Sequence, residues 1–95
     1  MNQVTLIGRL ATDVDIRDVT GGSRVATFIL AVDRNSEEAD FFRIKCWNSQ
    51  AEAAGDHLSK GRRVAVEGSL RQDTYERDEE VRKSISIVAR KVHFL

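Results

Sequence analysis

A chain of 95 residues is long enough for one small domain, and a content of 41% hydrophobic and 32% charged residues excludes a disordered chain. Fifteen cations balance fifteen anions, so any contact with nucleic acid would require these charges to be segregated in space. The start M-N-Q-V-T-L lacks the charged region of a signal peptide, no apolar run could span a bilayer, and the single cysteine excludes an internal disulfide, which together predict a cytoplasmic protein.

Two main strands are predicted in the first third of the chain. Residues 4–10 alternate between apolar and polar side chains, and Gly8 within them indicates a bulge or strong bend. A polar stretch follows, with room for a brief strand at 15–19, and T-G-G-S at 20–23 predicts a turn. The second main strand, 24–32, is apolar on both faces, which favours cover by the core on one side and by a partner subunit on the other.

The third strand, residues 39–47, carries two different sets of side chains on its two faces. One set is apolar and suits a core, whereas the other places two cations between two aromatic rings. The apolar set is Phe42, Ile44 and Cys46, and the mixed set is Phe41, Arg43, Lys45 and Trp47. A mixed face of this kind suits flat bases on a negatively charged backbone, as in single-stranded nucleic acid, but subunit interfaces also favour these residue types. Spacing alone leaves both interpretations open.

One helix is predicted at residues 49–60, after a charged loop at 33–40 and the third strand. Ser49 and Glu52 match a capping box, and Gly61 stands where a helix C-cap prefers glycine. The apolar stripe of this helix is narrow and consists of small residues, which suits closing one end of a barrel. Its members are Ala51, Ala54, Gly55 and Leu58.

Two further strands, 62–71 and 81–94, enclose a charged hairpin loop at 72–80 that contains Tyr75. The core positions predicted in this region are Val64, Val66, Gly68, Leu70, Ile85, Ile87 and Ala89. Phe28, in the second main strand, and Phe94, at the end of the last strand, are also predicted to lie in the core. The order of strand, strand, strand, helix, strand, strand predicts an all-β protein. It indicates a five-stranded Greek-key barrel of the OB-fold type, with one helix between the third and fourth strands.

Catalytic chemistry finds little support in the sequence. His57 and His93 are far apart, Cys46 lies on the core parity, and no glycine-rich phosphate loop is present. The acidic run 78–80 is typical of a solvated loop, although a hydrolase could use it to hold a divalent metal. We therefore expect no enzymatic activity, no cofactor and no metal.

In several segments the chain resembles the bacterial single-stranded DNA-binding protein family. The matching segments are N-Q-V-T-L-I-G-R-L, D-V-D-I-R, V-A-T-F-I-L-A-V, F-F-R-I-K-C-W-N and A-G-D-H-L-S-K-G-R-R-V-A-V-E-G-S-L-R. They occur in order and at matching spacing over essentially the whole chain. The resemblance implies an OB-fold, a homotetramer, and binding of single-stranded DNA without strong sequence preference, in replication, recombination or repair.

The resemblance also implies which residues contact the strand. Family members stack bases on aromatic residues at three positions, which here are Phe41, Trp47 and Tyr75. Strand parity and similar basic positions in the family indicate the phosphate partners, which are Arg9, Arg43, Lys45, Arg71, Arg17 and Arg63.

Typical family members also carry a glycine-rich tail whose acidic tip recruits replication and repair proteins. This chain stops at H-F-L, directly after the last strand, so we expect one DNA-binding domain over residues 1–95, without tail-mediated partners. The alternative is an OB-fold interaction module of the replication-restart type, in which the aromatic strand is buried in an interface and binds DNA weakly or not at all.

Overall fold

Alternating apolar residues place most of this chain in β-strands, and the computed structural model describes all residues from 1 to 95. Six strands and one helix follow one another along the chain. In order they are β1 (Val4–Leu10), β2 (Asp15–Val19), β3 (Ser23–Asp33), β4 (Ala39–Trp47), α1 (Ser49–His57), β5 (Arg63–Arg77) and β6 (Glu80–Phe94). The brief strand expected at 15–19 is β2.

The strands form one sheet in the order β1-β5-β6-β4-β3-β2, and pairing of β1 with β3 closes it into a barrel. The end of β1 lies beside β3 at Leu10↔Leu30, and β2 then pairs with the same edge of β3, from Asp15↔Thr27 onward. Because β1 and β2 occupy successive parts of one edge, the barrel wall has five positions. The predicted five-stranded OB-fold barrel is therefore confirmed, with the helix between β4 and β5.

The core fills the barrel from alternate positions of β3, β4, β5 and β6. Phe28, Leu30 and Ile44 are its largest fully buried side chains, and α1 adds small residues at one end. The complete set is Leu10, Ala26, Phe28, Leu30, Ile44, Cys46, Ala51, Ala54, Leu58, Val64, Val66, Ile87 and Ala89. The predicted inward faces of the first and third strands are confirmed. Leu10 of β1 and Ile44 and Cys46 of β4 belong to this cluster, and Phe42 of β4 packs against it.

Three residues predicted as core are exposed instead, namely Leu70, Ile85 and Phe94. Leu70 and Ile85 have the parity of the core, but they lie toward the hairpin end of β5 and β6, where the inner face has no layer packed over it. Phe94 lies at the end of β6, with its ring 5.7 Å from that of His57. Alternation predicted which face Leu70 and Ile85 occupy, but not where along β5 and β6 the packed core ends.

The start of α1 differs from the predicted capping box. Asn48, not Ser49, is the N-cap, and no side-chain hydrogen bond caps the helix. Instead Asn48 Oδ1 accepts a hydrogen bond from the Arg24 backbone N–H at 3.1 Å, and the Asn48 N–H donates to the Arg24 carbonyl at 2.8 Å. The N-cap side chain therefore joins β3 to the helix start, and the Asn48 backbone, with φ 50° and ψ −115°, lies outside the usual regions for L-residues.

The helix also ends earlier than predicted, at His57 instead of Lys60. Leu58 is extended, with φ −108° and ψ 141°, and its side chain is buried in the core. Gly61, the predicted C-cap glycine, has a φ of 93° and lies in the turn that leads into β5.

No bulge lies at Gly8; the break in register is between β5 and β6, where Arg90 of β6 is the extra residue opposite Glu67 and Gly68. The register of β1 with β5 runs without a break through Gly8↔Val64. A Cβ on Gly8 would lie 2.2 Å from the carbonyl oxygen of Ala31, so glycine is required there for the close approach of β1 to β3.

The long loop expected at 72–80 is mostly strand. β5 and β6 pair as far as Arg77↔Glu80, and only Asp78 and Glu79 remain in the turn. Both have positive φ, 53° and 64°, as a type I′ hairpin turn requires. The run of charged residues concealed the strand, because its polar side chains resemble those of a loop.

This turn leads to a first expected result. Glu79→Gly should raise the free energy of unfolding by about 0.5–1 kcal/mol, because the relief of left-handed strain exceeds the entropy cost of glycine. Thermal unfolding followed by circular dichroism would measure the change. Glu76→Gly, within β5, is the matched control and should be destabilising; equal losses in both variants would contradict the turn assignment.

Candidate nucleic-acid interface

The mixed side chains of β4 lie on the outer face of the barrel, beside β3 and β2. Register pairs Val25 with both Trp47 and Arg17, and pairs Thr27 with Lys45. Side chains that face each other across antiparallel strands are close neighbours on one face. The result is a groove of about 520 Å³, lined by Asp15, Arg17, Val19, Val25, Thr27, Arg43, Lys45 and Trp47.

The three aromatic residues predicted to stack on bases are all exposed. Phe41 is 64% exposed, Trp47 36% and Tyr75 45%. By contrast, Cys46 on the opposite parity of β4 is fully buried, and burial raises the pKa of its thiol to about 11. At neutral pH the thiol is therefore protonated and suited to packing, as the sequence indicated.

Tyr75 lies on strand β5 and not in a loop, so its position is fixed by pairing with Arg82 of β6. Arg71, Asp73 and Tyr75 alternate along β5 and share one face. We call the outer surface that carries Phe41, Arg43, Lys45 and Trp47 of β4, together with Arg71 and Tyr75 of β5, the aromatic face.

An ion pair joins the two halves of the aromatic face across β6. Lys45 Nζ lies 3.2 Å from Asp73 Oδ2, and the Ser86 hydroxyl donates to the same oxygen at 3.1 Å. The hydrogen bonds from Lys45 and then from Ser86 lower the pKa of the Asp73 carboxyl. Sequence reasoning missed Asp73 because it counted 72–80 as a loop; its alternation with Arg71 and Tyr75 is the signal that could have revealed it.

Arg9 and Arg63 lie in a second groove, next to the first. They face each other across β1 and β5, and Arg9 also pairs with Ala31, which in turn pairs with Phe41. This groove has a volume of about 370 Å³ and is lined by Ile7, Gly8, Arg9, Ala31, Asp33 and Arg63. The cross-strand row of Arg63, Arg9, Ala31 and Phe41 therefore runs from the second groove to the aromatic face.

The six predicted phosphate partners differ in their availability. Arg17 pairs with Asp15 at 3.2 Å, and Lys45 pairs with Asp73. The other four form no ion pair within the chain; they are Arg9, Arg43, Arg63 and Arg71. Two directly opposed arginines without an acidic partner repel each other, so Arg9 and Arg63 would gain from an anion between them.

Comparison with known proteins shows the family of the chain. Over residues 1–95 the chain matches the single-strand binding protein family. The chain belongs to this family.

Relatives from several bacteria resemble this family member over its entire length. It is 40% identical over 102 residues to single-stranded DNA-binding protein 3 of Clostridium acetobutylicum and 38% identical to the single-stranded DNA-binding protein of Clostridium tetani. The single-stranded DNA-binding protein of Treponema pallidum is 35% identical over 102 residues. The chain spans 71%, 70% and 58% of the length of these three relatives, respectively.

Two further observations describe this member of the single-strand binding protein family. No three histidine, cysteine or carboxylate side chains lie close enough together to hold a metal ion, and Asp78 and Glu79 of the acidic run form the β-turn. Its helix, with nine residues, is too short to cross a membrane.

Proposed function

We propose that this protein binds single-stranded DNA with little sequence specificity on its aromatic face. The observation that carries the proposal is the outer side of β4, where Phe41 and Trp47 flank Arg43 and Lys45 on a strand held from both sides by β3 and β6. Exposed rings on either side of two cations match a ligand made of bases on a phosphate chain. The names of its relatives, single-stranded DNA-binding proteins, agree with this ligand.

Binding would proceed by two kinds of contact. The unpaired arginines attract the phosphate backbone and release its counterions. Bases then stack on Phe41, Trp47 and Tyr75, and each stacked base contributes about 1–3 kcal/mol. Every base has a flat π-surface, so stacking accounts for binding that is indifferent to sequence.

We further propose a non-enzymatic homotetramer of the cytoplasm, associated with the nucleoid, that protects and organises single strands in replication, recombination or repair. Exposed apolar side chains on the face opposite the aromatic face, such as Leu70 on β5 and Ile85 on β6, support an assembly that covers them. Sedimentation velocity should give the mass of four chains. A monomer at micromolar concentration would contradict the tetramer and leave the binding proposal standing.

The binding proposal is tested by a salt titration. We expect the logarithm of affinity for oligo(dT) to fall with log salt with a slope of about −3, because each of four unpaired cations contributes about 0.7 on a single strand. Fluorescence anisotropy of a labelled oligonucleotide measures the affinity, with duplex DNA as the control ligand. Equal affinity for duplex, or no binding at low salt, would refute the proposal.

A matched pair of variants assigns part of this slope to the aromatic face. Arg43→Met should lower the slope by about 0.7 and weaken binding, because Arg43 lines the groove beside Trp47. Lys60→Met removes one charge from the turn after α1, which lines neither groove, and should leave the slope nearly unchanged. Equal effects of the two variants would indicate that only the total charge matters.

A further inference from the structure

A carboxylate lies within the surface that is proposed to bind phosphates. Asp73 is on the same face of β5 as Arg71 and Tyr75, and its Oδ2 receives hydrogen bonds from Lys45 of β4 and Ser86 of β6. A negative charge at this place opposes a polyanionic ligand and also neutralises one of the cations predicted to bind it. Its position therefore requires an explanation.

The Lys45–Asp73 pair is more firmly held than the other ion pair of the groove. Side chains of Lys45 and Asp73 are 28% and 34% exposed, against 75% and 59% for Arg17 and Asp15. Exposed pairs are screened and exchange easily, whereas partly buried ones are screened much less. The Ser86 side chain, almost wholly buried, fixes the carboxylate from a third strand.

The pair also lies between the stacking residues. Lys45 is two residues from Trp47 on β4, and Asp73 is two residues from Tyr75 on β5, so both ends of the pair have an aromatic neighbour on the same face. The four unpaired arginines lie around this central pair on β1, β4 and β5. Of the cations on the aromatic face, Lys45 is thus the one neutralised within the chain, whereas Arg43 and Arg71 beside it remain unpaired.

We propose that Asp73 is a specificity-determining residue: it neutralises Lys45 and keeps phosphates away from that ammonium. This inference rests on the proposed function. A single strand can turn its bases toward Trp47 and Tyr75 and leave its phosphates to the arginines. A duplex cannot, because its bases are paired inside and it presents phosphates to any surface it meets. Asp73 therefore selects against duplex DNA.

The test is the neutral, isosteric variant Asp73→Asn, whose amide oxygen can still accept the Ser86 hydrogen bond. One additional phosphate contact should tighten oligo(dT) binding about fivefold at roughly 0.1 M salt and steepen the salt slope by about 0.7. The gain for duplex DNA should be larger, so the ratio of single-strand to duplex affinity should fall. Glu76→Gln, on the opposite face of β5 and without an ion pair, is the matched control for net charge and should change neither.

A double-mutant cycle with Lys45→Met shows whether the effect passes through Lys45. Lys45→Met should cost about fivefold more oligo(dT) affinity in the Asp73→Asn background than in the wild-type background, because Asp73 neutralises that ammonium only in the wild type. In the Asp73→Asn background it should abolish the fivefold gain. Thermal unfolding of each variant verifies the fold, and Asp73→Ser provides a second neutral variant with the same expected gain.

The outcomes separate this inference from the proposed function. If the wild-type protein binds oligo(dT) and neither neutral variant changes the affinity or the single-strand to duplex ratio, the role of Asp73 is refuted and the binding function stands. A loss of affinity in folded Asp73→Asn would also refute it, since Asp73 would then orient Lys45 toward a phosphate. If neither wild type nor variants bind, both proposals fail.

Discussion

Trp47→Ala is expected to weaken binding to oligo(dT) by roughly 5- to 150-fold, the range that corresponds to loss of one stacked base at about 1–3 kcal/mol. Trp47 ends β4 on the outer face and lines the groove with Arg17, Arg43 and Lys45. Anisotropy of a labelled oligonucleotide measures the loss. Trp47→Phe retains a flat ring and should recover most of the affinity, so the pair distinguishes stacking from a general effect of the substitution.

The wild-type protein offers a direct measurement of the same contact, because Trp47 is its only tryptophan. Single-stranded DNA should quench its fluorescence strongly, increasing salt should reverse the quenching, and duplex DNA should leave it unchanged. Unchanged oligo(dT) affinity in a folded Trp47→Ala protein would remove Trp47 from the binding surface. It would also favour the interaction module, in which β4 contacts another protein.

Phe28→Ala should lower the free energy of unfolding by about 3–5 kcal/mol, the usual cost of removing a buried aromatic ring. Phe28 is among the largest fully buried side chains and pairs across the sheet with Ile44. Because small domains are stable by only about 5–15 kcal/mol, this variant should be close to unfolding. Urea denaturation followed by circular dichroism would measure the change.

Phe41→Ala is the matched control for Phe28→Ala, since it removes the same ring from the outer face of the adjacent strand. Its stability should lie within about 1 kcal/mol of the wild type, because the ring is mostly exposed. Its affinity for oligo(dT) should fall, however. Similar stability losses in the two variants would contradict the assignment of opposite faces to core and ligand.

The sequence predicted the two faces of β4 and the order of the elements correctly because both depend on local alternation. Cys46 and Ile44 are buried and Phe41 and Trp47 are exposed, as the period of two requires. The barrel followed from the element order, and the family resemblance is confirmed over the full chain. The stacking and phosphate roles of individual residues remain predictions.

Contacts between distant residues account for what the sequence did not predict. Lys45 meets Asp73 across 28 residues, and Asn48 turns its side chain to Arg24 across 24 residues instead of capping the helix. The exposure of Leu70 and Ile85 depends on where the barrel ends, which their alternation does not encode. Each of these outcomes depends on tertiary neighbours that local pattern cannot identify.

The long β5–β6 hairpin has a consequence for the order of folding. Its two fifteen-residue strands are joined by a two-residue turn, so its closure costs little chain entropy and it can form early. The parallel contact of β4 with β6, at Ile44↔Ile87, joins distant parts of the chain and belongs to a late step. The aromatic face draws on both β4 and β5, so a partly folded chain lacks it. The ability to bind single-stranded DNA thus arises only when the native state forms.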